Sequence, residues 1–220
     1  MKSRRLTIIV VCLLCVGCFA LSGFGQELKP IQLPEPKLDP SKSLAQALKE
    51  RKTTREYSGD LSAQTLSNLL WAAWGINRPD SGRRTAPSAR NWQEIDLYVA
   101  MKQGVYLYDP KKNALMPVLS GDFRSLTYTQ VERFKAAPIH LVYISDLART
   151  DVEETRAMFL TAIDTGCIVQ NVYLYCASEG LPTGFRVAIE KEKLGQAMQL
   201  KPTQRIIGAQ SVGLPPESTF

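Results

Sequence analysis

The sequence predicts an α+β fold, in which helices and strands alternate without the regular rhythm of parallel βαβ units. Residues 138–145 form a nearly continuous apolar run, which is typical of a central strand. Residues 155–179 carry apolar side chains on more than one helical face, which is typical of a buried helix. With 220 residues, 45% of them hydrophobic, the chain is long enough to bury one core.

The first 25 residues have the pattern of an export signal. A basic stub precedes an apolar run over residues 6–15, which is shorter than the roughly 20 residues that a membrane span needs. Small residues before Gln26 suit cleavage at that point. Residues 1–25 are therefore predicted to direct an exported protein to the periplasm or cell envelope.

The route of export stays open in the sequence. Gly17 precedes Cys18 as in lipoprotein signals, and lipidation of Cys18 would make the membrane a partner. Arg4 and Arg5 resemble a twin-arginine signal, although an ordinary basic stub has the same residues. The chain has no basic stripe with interleaved aromatic residues, so nucleic acid is not an expected partner.

Cysteine and histidine usage argues against disulfides and metal sites. Outside the export signal the cysteines are Cys167 and Cys176, in one predicted helix. Their backbones would be roughly 13 Å apart, whereas a disulfide needs Cα atoms within about 7 Å. Both are predicted to be free thiols. His140 is the single histidine and alternates with apolar residues in a predicted strand, so it is expected in the core rather than at a metal.

The elements that follow are predicted from caps and breakers. Residues 26–42 contain repeated prolines, which predict an extended strap along the surface. Ser43 and Gln46 form a capping box that opens a first helix of the domain, residues 43–220. Ser62 opens a second helix, which ends near Gly75.

Strand patterns occupy much of the remaining chain, with one long helix among them. Turn residues 109–113 separate two short apolar runs and predict a hairpin. The long helix begins at residue 151 or 155, and because it is apolar nearly all round it is expected between two subunits. The predicted strands are residues 95–101, 104–108, 114–119, 138–145 and 205–212.

The first polar segment, residues 51–57, contains more cations and hydroxyls than folding requires. Arg51 and Arg55 can fork onto phosphate oxygens, and Thr53 adds a hydroxyl donor. A solvated helix end, where cations suit the helix dipole, is the alternative.

Two further segments contain residues that could contact a ligand. In residues 83–93, Ser88, Asn91 and Gln93 could bind the polar edge of a flat heterocycle, although an ordinary surface turn has the same composition. In residues 180–185, two glycines allow close backbone approach to a ligand, although a helix cap and turn would use them too. The chain has no Walker loop, Rossmann glycine motif or nucleophile elbow.

Taken in order, these segments resemble the nitroreductase superfamily. Residues 51–57 resemble its R-R-S-x-R-x-F/Y phosphate motif, residues 86–93 its flavin-edge loop, and residues 166–181 its central dimer helix. Residues 104–110 and 31–36 resemble the branch that contains azoline-oxidising dehydrogenases of peptide-toxin biosynthesis. The resemblance implies a nitroreductase-like α+β fold, with a central mixed or antiparallel sheet flanked by helices and a long buried helix at a homodimer interface.

The resemblance also implies one FMN per subunit, held jointly by both subunits. Many members place a basic residue near the C-terminal strand, but residues 208–220 contain no Lys or Arg, so Arg205 is the predicted substitute. Phosphate binding is assigned to Arg51, Thr53 and Arg55, with Lys52 at either the phosphate or the pyrimidine end of the flavin. The partner subunit would contribute Pro87, Ser88, Ala89 and Asn91, and Gln93 of the same loop would bind the flavin edge. Thr183 and Gly184 would present their backbone at the reactive flavin nitrogen.

The function that this resemblance implies is an FMN-dependent oxidoreductase. Electrons would pass from a donor such as NADH or NADPH, through the flavin, to an electron-poor small molecule. Because the flavin carries the chemistry, no catalytic side chain is predicted. The alternatives are an exported flavin dehydrogenase or oxidase that acts on a peptide or small metabolite, and a non-enzymatic FMN-binding protein.

Overall fold

A computed structural model describes residues 27–216 of the chain. The predicted export signal, including Cys18, lies outside the described residues. The helices are α1 (Leu44–Glu50), α2 (Ala63–Trp74), α3 (Val131–Phe134), α4 (Glu154–Ser178) and α5 (Lys191–Ala197). The strands are β1 (Ile31–Gln32), β2 (Ile76–Arg78), β3 (Arg83–Arg84), β4 (Ile95–Met101), β5 (Gly104–Asp109), β6 (Ala114–Ser120), β7 (Ile139–Asp146), β8 (Thr183–Arg186) and β9 (Gln204–Val212).

The centre of the fold is a seven-stranded sheet in the order β1-β6-β5-β4-β7-β9-β8. Every neighbouring pair in this sheet is antiparallel. The predicted α+β class is confirmed, and of the two sheet types that the sequence allowed, the antiparallel one is present. Strands β2 and β3 form a separate two-stranded antiparallel hairpin.

Strand β7 shows why an uninterrupted apolar run marks the middle of this sheet. Its side chains alternate between two cores, because successive residues of a strand point to opposite faces. Leu141 and Tyr143 pack with α2 and α4 on one face. Val142 and Ile144 pack with Leu194 of α5 on the other. Both faces of β7 are therefore covered, and neither favours polar residues.

The long helix α4 is buried on one face and exposed on the other. Ile168 and Val172 are fully buried against α2 and the sheet, as expected from their apolar character. Phe159 and Ile163 are 66% and 49% exposed within the subunit. The sequence predicted a helix that is buried on all sides, and within one subunit α4 is buried on one face only. No residue among 27–216 covers the second apolar face.

The proline-rich strap is held to the core by side chains of α2. The Asn68 amide bonds both backbone groups of Lys37, at 2.7 Å and 2.8 Å. The hydroxyl of Ser67 donates to the carbonyl oxygen of Pro34 at 2.5 Å. Two antiparallel residue pairs between β1 and β6 continue the attachment. The strap thus extends the sheet and binds the polar side chains in the middle of α2.

Candidate functional site

The first and third polar segments lie against each other. The backbone amide of Thr54 donates to the carbonyl oxygen of Thr183 at 3.0 Å. A Cβ built on Gly184 would lie 3.4 Å from Thr53 Cγ2 and 3.5 Å from Arg55 Cγ. The absence of a side chain at Gly184 therefore lets β8 approach the predicted phosphate motif closely. The third segment was predicted as a turn, but from Thr183 it forms the edge strand β8.

Tyr173 of α4 joins these two segments. Its hydroxyl oxygen lies 3.1 Å from Thr53 Oγ1 and accepts the backbone amide of Phe185 at 3.0 Å. The guanidinium of Arg51 lies 5.5 Å from the centre of the tyrosine ring, a distance at which a cation is attracted to the ring face. Sequence reasoning missed Tyr173, because a tyrosine within an apolar helix gives no sign of such a contact.

Cations of the first segment are available to bind an anion. Within residues 27–216, neither Arg51, Lys52 nor Arg55 forms an ion pair with a carboxylate. Arg51 and Lys52 line a cavity of about 510 Å³, together with Glu50, Glu56 and Pro182. The cavity therefore carries both signs of charge, and Arg51 and Lys52 are not held in ion pairs by its carboxylates.

A fourth cation, Arg186, lies buried behind Gly184. It donates to the carbonyl oxygen of Thr127 at 2.6 Å, to Ser211 Oγ at 2.8 Å and to His140 Nδ1 at 2.8 Å. Burial lowers its pKa to about 10. No carboxylate of the described chain pairs with it. Arg186 therefore adds a buried positive charge at the end of β8, and no sequence motif pointed to it.

His140 is a core residue, as predicted, and it is electrically neutral. Since a guanidinium can only donate, Nδ1 accepts from Arg186 and the ring proton is on Nε2. Burial and the charge of Arg186 lower the pKa of His140 well below 6.5. Nε2 has no hydrogen-bond partner in the described structure, so only one of the two ring nitrogens of His140 is hydrogen-bonded.

The second segment is a strained loop that bonds to itself. Arg90, Asn91 and Gln93 have positive φ values of 50°, 57° and 49°, a conformation that side chains other than glycine rarely adopt. Ser88 Oγ accepts the backbone amide of Gln93 at 2.8 Å. The side-chain oxygen of Gln93 accepts from Arg84 at 2.7 Å. Gln93 thus holds the loop in shape, and its carboxamide is already engaged.

The loop does not meet the other two segments within one subunit. Its Ala89 amide donates to Asp164 of α4 at 2.7 Å. Tyr173, which contacts the first and third segments, lies nine residues further along the same helix, about 14 Å away at the helical rise of about 1.5 Å per residue. One subunit therefore supplies two separate partial sites along α4.

Arg205 is not near the predicted phosphate site. Its guanidinium pairs with Glu154 at 2.8 Å, at the first turn of α4. Tyr173 and the neighbouring Arg51 lie about 28 Å further along this helix at about 1.5 Å per residue. The prediction that Arg205 joins Arg51 at one phosphate is therefore wrong within a subunit, because β9 begins at the opposite end of the sheet from that site.

Fold and site together define an α+β protein in which a loop rich in cations packs against an edge strand. The family model described as the nitroreductase family matches residues 48–214. The chain belongs to the nitroreductase family. A protein of Methanocaldococcus jannaschii described as a nitroreductase is 30% identical over 182 residues, which cover 78% of this chain and 90% of that protein. Family membership indicates an oxidoreductase.

Solved structures agree with this assignment. A crystal structure described as a nitroreductase from Ralstonia eutropha has a TM-score of 0.81 and 36% identity, covering 87% of this chain and 91% of that one. A chain of the E. coli microcin synthetase complex shares the fold at a TM-score of 0.63 and 22% identity, with coverage of 94% and 84%. The NADPH:FMN oxidoreductase of Vibrio harveyi, solved with NAD⁺, shares the fold at 0.60 and 14%, with coverage of 79% and 69%.

Proposed function

We propose that this protein is an FMN-dependent oxidoreductase that works as a homodimer. The observation that carries the proposal is that Gly184 lies against Thr53 and Arg55, in a segment whose cations form no ion pair with a carboxylate of residues 27–216. These cations are Arg51, Lys52 and Arg55. Bound FMN would supply hydride and electron transfer, which no cluster of side chains in the described residues provides. The residues of the chain then act by binding, orienting and enclosing the cofactor.

The phosphate of FMN fits the first segment. Guanidinium groups bind phosphate oxygens through paired charge-assisted hydrogen bonds, and a hydroxyl adds a neutral donor. In the proposed complex Arg51 and Arg55 hold the phosphate, Thr53 adds its hydroxyl, and Lys52 supplies a further charge. Tyr173 keeps Thr53 and β8 together, so loss of its hydroxyl would misplace both ends of the cofactor.

The exposed face of α4 supports a homodimer. Phe159 and Ile163 are exposed apolar residues on this face, and a Cβ built on Gly166 meets nothing within 4 Å. A second subunit packed on this face would cover the apolar residues. It would also bring the second segment of one subunit to the first and third segments of the other. Pro87, Ser88, Ala89 and Asn91 of the partner subunit would then complete the flavin site that one subunit leaves in two parts.

The first test is the absorption spectrum of the purified protein, with and without added FMN. Removal of Arg51 and Arg55 together should weaken FMN binding by about 3–6 kcal/mol, since each charge-assisted contact contributes about 1.5–3 kcal/mol. The dissociation constant should then rise at least about a hundredfold. Lys111→Ala, which replaces an exposed lysine in the turn between β5 and β6, is the matched control. FMN affinity that is equal in the double variant and the control would contradict the phosphate site.

For the electron donor we propose NADH or NADPH, with an electron-poor small molecule as acceptor. The named activity of the V. harveyi relative, an NADPH:FMN oxidoreductase, favours this class of donor. Anaerobic titration of the FMN-loaded protein should bleach the flavin band. A flavin that stays oxidised under both nucleotides would instead favour a dehydrogenase or oxidase that takes electrons from a peptide or small metabolite, or a binding protein without activity.

We also propose that the protein is exported, because residues 1–25 combine a basic stub, an apolar run and small residues before Gln26. Export would place the flavin where NAD(P)H is scarce, so this proposal bears on the donor. Fractionation of expressing cells, with the N-terminus of the product read by mass spectrometry, tests it. An intact Met1 in the cytoplasmic fraction would contradict export, and a lipid on Cys18 would establish a membrane-anchored form.

A further inference from the structure

Two buried carboxyl groups meet behind the second segment. Glu94, at the start of β4, is fully buried, and Asp164 of α4 is 6% exposed. Their side chains are within hydrogen-bonding contact of each other. Two ionised carboxylates at such a distance repel strongly in a site without water. A proton on one of the two carboxyl groups would remove this repulsion.

Each of the two carboxyl groups also holds the loop. Asp164 Oδ2 accepts the backbone amide of Ala89 at 2.7 Å. Glu94 Oε2 accepts the hydroxyl of Ser88 at 3.3 Å, and Glu94 Oε1 lies 3.4 Å from the hydroxyl of Thr161. Ser88 and Ala89 begin the stretch whose next residues have positive φ values. The pair is thus the anchor of a strained loop.

No cation neutralises the pair among the described residues. The surrounding charged groups come from the loop, β3, β4, the end of β7 and the turn after it, and each has another partner. Arg84 binds Gln93, Arg149 binds Asp96, Arg90 binds Asp151, and the carboxylate of Asp146 accepts from Thr203 and the Ala148 amide. Burial raises the pKa of Glu94, and the charge of Asp164 raises it further. Burial and this negative charge therefore both favour the protonated form of Glu94.

We propose that Glu94 and Asp164 share one proton, and that this proton positions Ser88 and Ala89 for contact with the flavin of the partner subunit. Both residues are positioning residues, since neither touches the cofactor. The link to flavin rests on the proposed function, whereas the shared proton is a property of this chain alone. Loss of the proton would place a second negative charge behind the loop, force the two carboxylates apart and move the Ala89 amide.

The shared proton has a defined pH signature. Between the ordinary value of 4.5 and the raised pKa, folded Glu94 keeps its proton while unfolded Glu94 has lost it. The ratio of folded to unfolded protein therefore falls as pH rises, by up to about tenfold per pH unit. Glu94→Gln keeps a donor toward Asp164 but cannot titrate, so this contribution disappears. Other titrating groups, including His140, are common to both proteins and cancel in the comparison.

The experiment follows urea unfolding and FMN affinity of the full chain between about pH 5 and pH 8. The variants are Glu94→Gln, Asp164→Asn and the control Asp151→Asn, whose exposed carboxylate pairs with Arg90 on the same loop. Infrared spectra in the same range report a protonated carboxylic acid directly. Relative to Glu94→Gln, we expect wild type and the control to lose stability and FMN affinity with rising pH, and Asp164→Asn to do so less steeply. Wild type should also show an acid band at pH 7 that Glu94→Gln lacks.

The possible results test the shared proton and the positioning of Ser88 and Ala89 separately. Parallel stability curves for wild type and Glu94→Gln, with no acid band at pH 7, would overturn the shared proton. If Glu94→Gln fails to fold, the infrared band of wild type and the Asp164→Asn curve decide in the same way. A pH-dependent stability with FMN affinity that is equal in wild type and Glu94→Gln at every pH would overturn the positioning role. Absence of FMN binding in all proteins would contradict the proposed function, and the unfolding curves would still decide the shared proton.

Discussion

Replacing Gly166 with arginine distinguishes an interface role of α4 from a role within one subunit. Gly166 is exposed in the middle of this helix, and a Cβ built on it meets no atom within 4 Å. Glycine in a helix interior costs about 0.8–1.0 kcal/mol relative to alanine, and arginine is nearly as favourable as alanine. In an isolated subunit, Gly166→Arg should therefore stabilise the fold and raise Tm by about 2–4 °C.

A dimer packed through this face reverses that expectation. Phe159 is 66% exposed, and covering that fraction of roughly 200 Å² contributes about 3 kcal/mol per subunit. An arginine at Gly166 would place a charge within this apolar contact, and a charge buried without a partner costs several kcal/mol. This cost exceeds the gain in helix propensity of about 1 kcal/mol. We expect monomers that no longer bind FMN, because the partner's loop is lost.

Sedimentation velocity, thermal unfolding and FMN titration of the same samples measure the three consequences. Gly195→Arg is the matched control, since Gly195 also lies within a helix and its built Cβ has only Leu200 Cδ1 nearby, at 3.8 Å. The control should remain dimeric and bind FMN. A Gly166→Arg protein that stays dimeric with a raised Tm would show that this face of α4 is not the interface. That result would also refute the proposal that loops of two subunits form the flavin site across this face.

Two further perturbations test the core and the strap. Because the pKa of His140 is lowered by burial and by the charge of Arg186, the unfolded chain binds a proton below pH 6.5 that the folded chain excludes. The free energy of unfolding should then fall with decreasing pH by up to about 1.4 kcal/mol per pH unit. His140→Asn keeps a hydrogen-bond acceptor but does not titrate, so its urea-unfolding midpoint should depend less on pH in this range. Identical slopes of midpoint against pH in the two proteins would refute the neutral histidine. Asn68→Ala removes both hydrogen bonds to Lys37 and should cost about 2 kcal/mol, with faster proteolysis near residue 37. Unchanged cleavage in that variant would show that the strap is held by its β1 pairing instead.

Locally encoded features were predictable from the sequence. The caps at Ser43 and Ser62 accept the backbone amides three residues later, as their spacing requires. Strand β4 has the predicted bounds, because apolar patterning over seven residues is sufficient to define a strand between turns. Cys167 and Cys176 are free thiols, as their separation along one helix predicts.

Features that depend on a distant partner were not predictable. Strand β8 has a single large apolar residue, and it is a strand because β9 pairs with it along four residues. Glu94 has the sequence context of a polar residue before a strand, and only the packing of α4 against the loop brings Asp164 to it. The error over Arg205 has the same origin, since position along β9 decides which end of α4 an arginine reaches.

The sequence by itself determined the two capped helices, the long helix, five of the strands, the family resemblance and the three polar segments. Caps, periodicity and short motifs act over a few residues, which is why these features could be predicted. Only the tertiary structure decided how those segments combine. It places Gly184 against Thr53 and Arg55, leaves the loop at Ala89 about 14 Å away along α4, and exposes an apolar helix face between these two partial sites. Contacts between residues far apart in the chain set these relations, and no local pattern encodes them.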